Sequence, residues 1–185
     1  MKKQILFIQG AGAGSYEEDE KLVESLRLLL GSLYEIRYPA MKNEDDAPYE
    51  TWVGQIQEEL ATLNERVILI GHSVGGSVLI KFLSEMKIKK TIAGILIIAA
   101  PFWGGDGWTY EGYEELVLPN RADTKLPKDV PMFLYHSNDD EVVPFSHLAL
   151  YAKTLPGAVT RELDGRGHQL NNDLSEVAED IKKLS

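Results

Sequence analysis

Four runs of consecutive apolar residues constrain this chain most: Ile5–Ile8, Val67–Ile70, Ile95–Ala99 and Met132–Tyr135. Each is rich in β-formers, too short for a helix, and apolar at successive positions, as a strand covered on both faces must be. Two further segments alternate instead, Tyr34, Ile36, Tyr38 and Val159 to Leu163, and read as edge strands. Between them lie helical patterns. Leu22, Val23, Leu26, Leu29 and Leu33 recur behind an acidic first turn (Glu17, Glu18, Asp19), and Trp52, Val53, Ile56, Leu60 and Leu63 follow Pro48. Val74, Val78, Phe82 and Met86 follow the third strand, Leu148 to Leu155 the fifth, and Leu174, Val177, Ile181 and Leu184 come last. This alternation predicts an α/β fold: a three-layer α/β/α sandwich around a mostly parallel six-stranded sheet in the order 2-1-3-4-5-6.

At 185 residues and 20.7 kDa the chain reads as one domain, spanning 1–185. It has no cysteine, which removes thiol nucleophiles, iron–sulfur clusters and disulfides. A net charge of −10 argues against nucleic-acid and membrane-surface partners. The apolar runs are too short to span a bilayer, and the four apolar residues after Lys2 and Lys3 are too few for a secretory segment. A cytoplasmic protein is expected. The glycine-rich, aromatic stretch Phe102–Pro131 fits neither period and is expected to be a lid or pocket wall, or else an ordered excursion over a sheet edge.

The chemistry is concentrated after the third strand, in Gly71-His72-Ser73-Val74-Gly75-Gly76. A Gly-x-Ser-x-Gly between a buried strand and an amphipathic helix is where a nucleophile elbow belongs. The sharp turn pushes Ser73 outward, requires small residues two positions to either side, and aims the amides of the new helix at charge developing beside the serine. An inert serine in a glycine-rich turn is the bland alternative. A serine hydroxyl needs a base. His72 should point away from the apex, His147 should be solvated on a helix surface, and His136 immediately precedes an acidic cluster. His168, in the glycine-flanked loop Gly165-Arg-Gly-His-Gln169 after the last strand, is placed to hang over the carboxyl end of the sheet. Asp139, Asp140 and Glu141 all follow the fifth strand, and one of them would orient the base while the others cap or solvate a turn.

In the expected strand order the loop Gln9-Gly-Ala-Gly-Ala-Gly14 neighbours the elbow at the point where the winding reverses. It would supply a second oxyanion amide, Ala11 or alternatively Gly12, beside that of Val74. A dinucleotide site fits poorly, since Ser15 stands at the third glycine and the second strand ends Tyr38-Pro39 without an acid. No Gly-Lys-Ser/Thr, no HExxH and no close histidine pair is present, so neither cofactor nor metal is expected.

The elbow, the segment His136-Ser-Asn-Asp-Asp-Glu-Val-Val-Pro144 and Gly167-His168 together resemble the α/β-hydrolase superfamily, in particular its compact serine hydrolases of the retinoblastoma-binding-protein-nine group with their bacterial relatives. Members often show His-Gly-x-x-Asp-x-x-Val-Pro, which implies Asp140 as the acid with Asp139 second. Gln9 stands where many relatives carry histidine, and Ser137 replaces the usual glycine. The expected function is a serine hydrolase cleaving a small, uncharged acyl ester, with Ser73, His168 and Asp140 catalytic and Phe102 and Trp103 lining the acyl pocket or packing on the lid's own aromatics. A thioesterase or acyl transferase, or a non-catalytic binding protein on the same scaffold, are the rival expectations.

Overall fold

The computed structural model describes residues 2–105 and 111–184. Six strands form one sheet: β1 (Lys3–Ile8), β2 (Tyr34–Arg37), β3 (Arg66–His72), β4 (Thr91–Ile98), β5 (Met132–Ser137) and β6 (Val159–Leu163). Their order is β2-β1-β3-β4-β5-β6, and every neighbouring pair is parallel. The four continuous apolar runs are the central strands, and the two alternating segments are the edges.

The side chains of each central strand divide between two cores, because successive residues face opposite ways. Leu6, Ile8, Val67, Leu69, Ile95, Ile97, Met132 and Leu134 face one core, with α2 (Tyr49–Thr62), α3 (Ser73–Glu85) and α4 (Ser146–Thr154) packed over it. Ile5, Phe7, Ile68, Ile70, Leu96, Ile98 and Tyr135 face the other, under α1 (Ser15–Leu30) and α5 (Ser175–Lys183). That is the three-layer arrangement.

All five described helices end before the last residue of their apolar patterns; Leu63, Leu155 and Leu184 stay buried just past α2, α4 and α5, whereas Leu33 and Met86 do not. Gly31, at φ 65, terminates α1 in the left-handed region, and Leu33 lies beyond it in a 3-10 turn with 74% of its surface exposed. Met86 likewise falls outside α3, its side chain 40% exposed.

The described part of the 102–131 segment packs on the α2–α3 side. Trp103, Tyr113, Leu116 and Ala122 are buried in that core, and two 3-10 turns cover Glu114–Leu116 and Ala122–Thr124. Tyr49 N donates to Glu115 Oε1 at 3.1 Å, which ties the segment to the start of α2. Trp108 and Tyr110, part of the same expected lid, lie outside the described residues.

Candidate active site

Strand β3 passes into α3 with no intervening loop, and Ser73 at the junction has φ 50. A non-glycine residue held there costs of order 1–3 kcal/mol, which the surrounding contacts must over-determine. The glycines show how. A Cβ on Gly71 would lie 2.7 Å from Gly76 Cα, and one on Gly75 would lie 2.0 Å from the carbonyl O of Gln9. The turn closes on itself, and α3 starts against the end of β1. The β1–α1 loop and the elbow are therefore in contact.

Within that loop the amides are unequally committed. Gly10 N donates to Asp19 Oδ2 at 2.8 Å, and Gly12 N to the carbonyl O of Glu44 at 2.8 Å. Gly12 is thus occupied, and Ala11 lies between two anchored neighbours. Val74 is the second residue of α3, where an amide has no acceptor within the helix. Gln9, in place of the histidine common among relatives, is buried and braces the loop: its Nε2 donates to Glu44 Oε2 at 2.7 Å and its Oε1 accepts from Met41 N at 3.0 Å. Glu44 also accepts from Gly14 N and Tyr16 N, each at 3.0 Å, capping α1 from a distant loop.

His168 Nδ1 lies 2.8 Å from Asp140 Oδ2 and 3.0 Å from Oδ1. The same carboxylate accepts from Val142 N and Val143 N at 2.9 and 2.8 Å, and its Oδ2 lies 3.1 Å from His136 Nε2. Burial pushes the Asp140 carboxyl up, but the hydrogen bonds from His136 and His168 outweigh it and hold the group well below the ordinary carboxylate range. Burial, together with the charge on His72, lowers His168 below its ordinary value, against the opposing pull of Asp140.

Both neighbouring acids are the exposed turn residues expected from sequence, and each in addition holds a backbone amide of the next loop. Asp139 Oδ1 accepts from Gly167 N at 2.9 Å, and Glu141 Oε2 accepts from His168 N at 3.2 Å. Ser137 Oγ accepts from Arg166 N at 2.9 Å, so the serine that replaces glycine also holds the His168 loop. Three consecutive acids hold this loop, Asp140 by the His168 ring, Glu141 by the His168 amide and Asp139 by the amide of Gly167 before it.

His168 reaches the elbow through His72. The two rings are 4.9 Å apart, and His72 Nε2 lies 3.2 Å from the carbonyl O of His168. Among the described residues no hydrogen bond joins Ser73 Oγ to His168 directly. His72 is buried, its Nδ1 2.9 Å from Asp19 Oδ2.

His147 departs from expectation. It is buried, not solvated, and its Nδ1 accepts from Phe102 N at 2.7 Å. With Leu148 and Tyr151 it forms the inner face of the nine-residue α4, standing one position before the first and four before the second. Phe102 is half-buried and meets Tyr151 edge-on at 5.0 Å, while Trp103 is buried and stacks on Tyr113 at 5.0 Å. Sequence reasoning also missed Asp19. It was counted with the acidic first turn, yet it shares a face with Leu22, Val23 and Leu26 and is buried. An acid at i before apolar residues at i+3, i+4 and i+7 was the available signal.

A parallel sheet in this order, with a positive-φ serine where the third strand becomes a helix, is the architecture of the α/β-hydrolases. Solved structures with the same fold include the ydeN gene product from Bacillus subtilis (TM-score 0.72, 19% identity, 99% of this chain and 98% of that one). A meta-cleavage product hydrolase from Pseudomonas fluorescens IP01 is similar at TM-score 0.74 and 16% identity over 99% of this chain and 92% of that one. In sequence, YdeN of Bacillus subtilis is 24% identical over 174 residues, 94% of this chain and 89% of the relative. The family described as serine hydrolase matches residues 32–176. The chain belongs to that serine hydrolase family.

Proposed function

We propose that this hydrolase cleaves a small, uncharged carboxylic ester through Ser73, His168 and Asp140. Ser73 Oγ attacks the acyl carbonyl while His168 Nε2 takes its proton, and the resulting oxyanion is held by the amides of Val74 and Ala11. His168 returns the proton to the leaving alcohol, and water then attacks the acyl-enzyme by the same route in reverse. Asp140 keeps the proton on His168 Nδ1, leaving Nε2 free to act as base.

The observation that carries this reading is the Asp140–His168 pair at 2.8 Å, whose loop is hydrogen-bonded to the residue preceding Ser73. Phe102, on the loop leaving β4 and packed edge-on against Tyr151, is the proposed wall of the acyl pocket, together with Trp103, which stacks on Tyr113. The 102–131 segment is proposed as the pocket wall. The acidic net charge favours a small neutral ligand over a polyanion or an anionic lipid surface. No described helix is long and apolar enough to cross a membrane, and the proposed location is the cytoplasm.

A fluorophosphonate probe tests the proposal. Labelling is expected at Ser73, absent in Ser73→Ala and slowed by orders of magnitude in His168→Ala. A folded wild type that stays unlabelled would instead indicate a binding module on the hydrolase scaffold. Parallel ester and thioester series of increasing acyl length then separate an esterase from a thioesterase using the same residues.

A further inference from the structure

His72 has both ring nitrogens against acceptors. Nδ1 lies 2.9 Å from Asp19 Oδ2 and Nε2 lies 3.2 Å from the carbonyl O of His168. A backbone carbonyl accepts only, and a neutral imidazole carries one N–H, so it would satisfy one of these contacts and leave the other as two facing lone pairs. The alternative, a proton on Asp19, is opposed by that residue's other partners. Gly10 N donates to Oδ2 at 2.8 Å and Gln169 Nε2 to Oδ1 at 3.1 Å, so each oxygen already receives a hydrogen.

We propose that His72 is a resident imidazolium paired with Asp19, and that this buried pair is a positioning unit for the hydrolase, joining the Gly10 loop, the elbow and the His168 loop and setting a positive charge beside the ring of His168. The inference rests on the esterase reading only for its effect on turnover. The charged state of His72 follows from hydrogen-bond chemistry alone.

The joints are physical. Asp19 on α1 holds the amide of Gly10, the ring of His72 and the side chain of Gln169, while His72 holds the carbonyl of His168. Three loops that meet nowhere in sequence are thereby tied to one ion pair beneath Ser73. Removing either charge strands the other in a site where both side chains are 1% exposed. Burial pushes His72 toward the neutral form, but the adjacent Asp19 carboxylate reverses this and raises it above the ordinary imidazole value. The groups facing the pair are Asp140 from the loop after β5, His168 from the loop after β6, and the Tyr38 hydroxyl beyond β2. Of these, the His72 charge opposes protonation of His168, and Asp140 favours it. The effect makes the His168 imidazolium a readier proton donor at the step that expels the alcohol.

Two measurements test this. Long-range proton–nitrogen correlation spectra of the histidine rings, assigned with His72→Gln, should show both His72 nitrogens protonated at about pH 7.5, above the ordinary imidazole value. A neutral tautomer there overturns the proposal. His72→Gln retains a donor to the His168 carbonyl but removes the charge, so kcat/KM on p-nitrophenyl acetate should fall about three- to tenfold near pH 6 and recover at about pH 8.5. A loss that is uniform with pH, or no loss, overturns the electrostatic role. Should His72→Gln fail to fold, the wild-type spectra still decide, with the His72 ring assigned by elimination from His136→Gln, His147→Gln and His168→Gln among the four histidines. An unlabelled Ser73 in wild type defeats the esterase reading, whereas a neutral His72 in an active enzyme defeats only this one.

Discussion

Asp140 receives the ring of His168 at 2.8 Å while also accepting from the His136 ring and from two backbone amides. A carboxylate with all its acceptor positions engaged cannot rotate, so it fixes both the tautomer and the tilt of the imidazole. His136 thereby acts on the His168 ring without touching it.

Asp140→Asn should leave the fold intact and lower kcat by about 10³–10⁴-fold, because an amide can present its NH₂ to Nδ1 and stabilise the wrong tautomer. Steady-state hydrolysis of p-nitrophenyl acetate alongside a thermal melt checks this. A loss below about tenfold would assign the orienting role elsewhere.

The pH dependence has a defined sign. His168 is held below its ordinary value by burial and by His72, so the acid limb of kcat/KM should lie below about pH 6.5. The same shift makes the folded state bind fewer protons than the unfolded chain, so stability is lost as pH falls below the unfolded imidazole value. Asp140, also depressed, adds a further loss below the unfolded carboxyl value of about 4. Urea titrations of wild type and His168→Gln between about pH 7.5 and 5.5 should show the first loss only in wild type.

Two glycine substitutions should have opposite signs. Gly75→Ala drives a Cβ to 2.0 Å from the Gln9 carbonyl, which forces α3 off the end of β1 and should cost about 3 kcal/mol or more. Gly54→Ala, in the middle of α2 with no atom within 4 Å of its added Cβ, should stabilise by about 0.5–1 kcal/mol. Equilibrium unfolding of the pair checks both.

Glu44→Ala removes the carboxylate that receives the first amides of α1, a helix with no side-chain cap of its own at Gly14. The expected loss is about 1 kcal/mol, a fall in Tm of about 2–4 °C. Because Glu44 also holds Gln9, the loop proposed to hold the oxyanion should loosen and kcat should fall more than KM rises. A KM effect alone would place Glu44 outside the positioning of that loop.

The strands and their order were readable from the chain because a buried parallel strand must be apolar at every position, and an edge strand at every second one. The position of Ser73 at the strand-to-helix junction was readable because an elbow needs glycines at fixed offsets, and that of His168 because a loop after the last strand can end over the sheet in few ways. These are local requirements, written within a few residues of each group. Asp19, Glu44, His147 and the backbone-gripping acids Asp139 and Glu141 obey no such local rule. Asp19 became the hub of three loops because α1 crosses the carboxyl end of β1 and β3, and Glu44 a helix cap because its loop folds back over Gly14. What a polar side chain does depends on which donors reach it once the layers have packed, and those donors come from residues far away in sequence. Tertiary structure alone decided those partners.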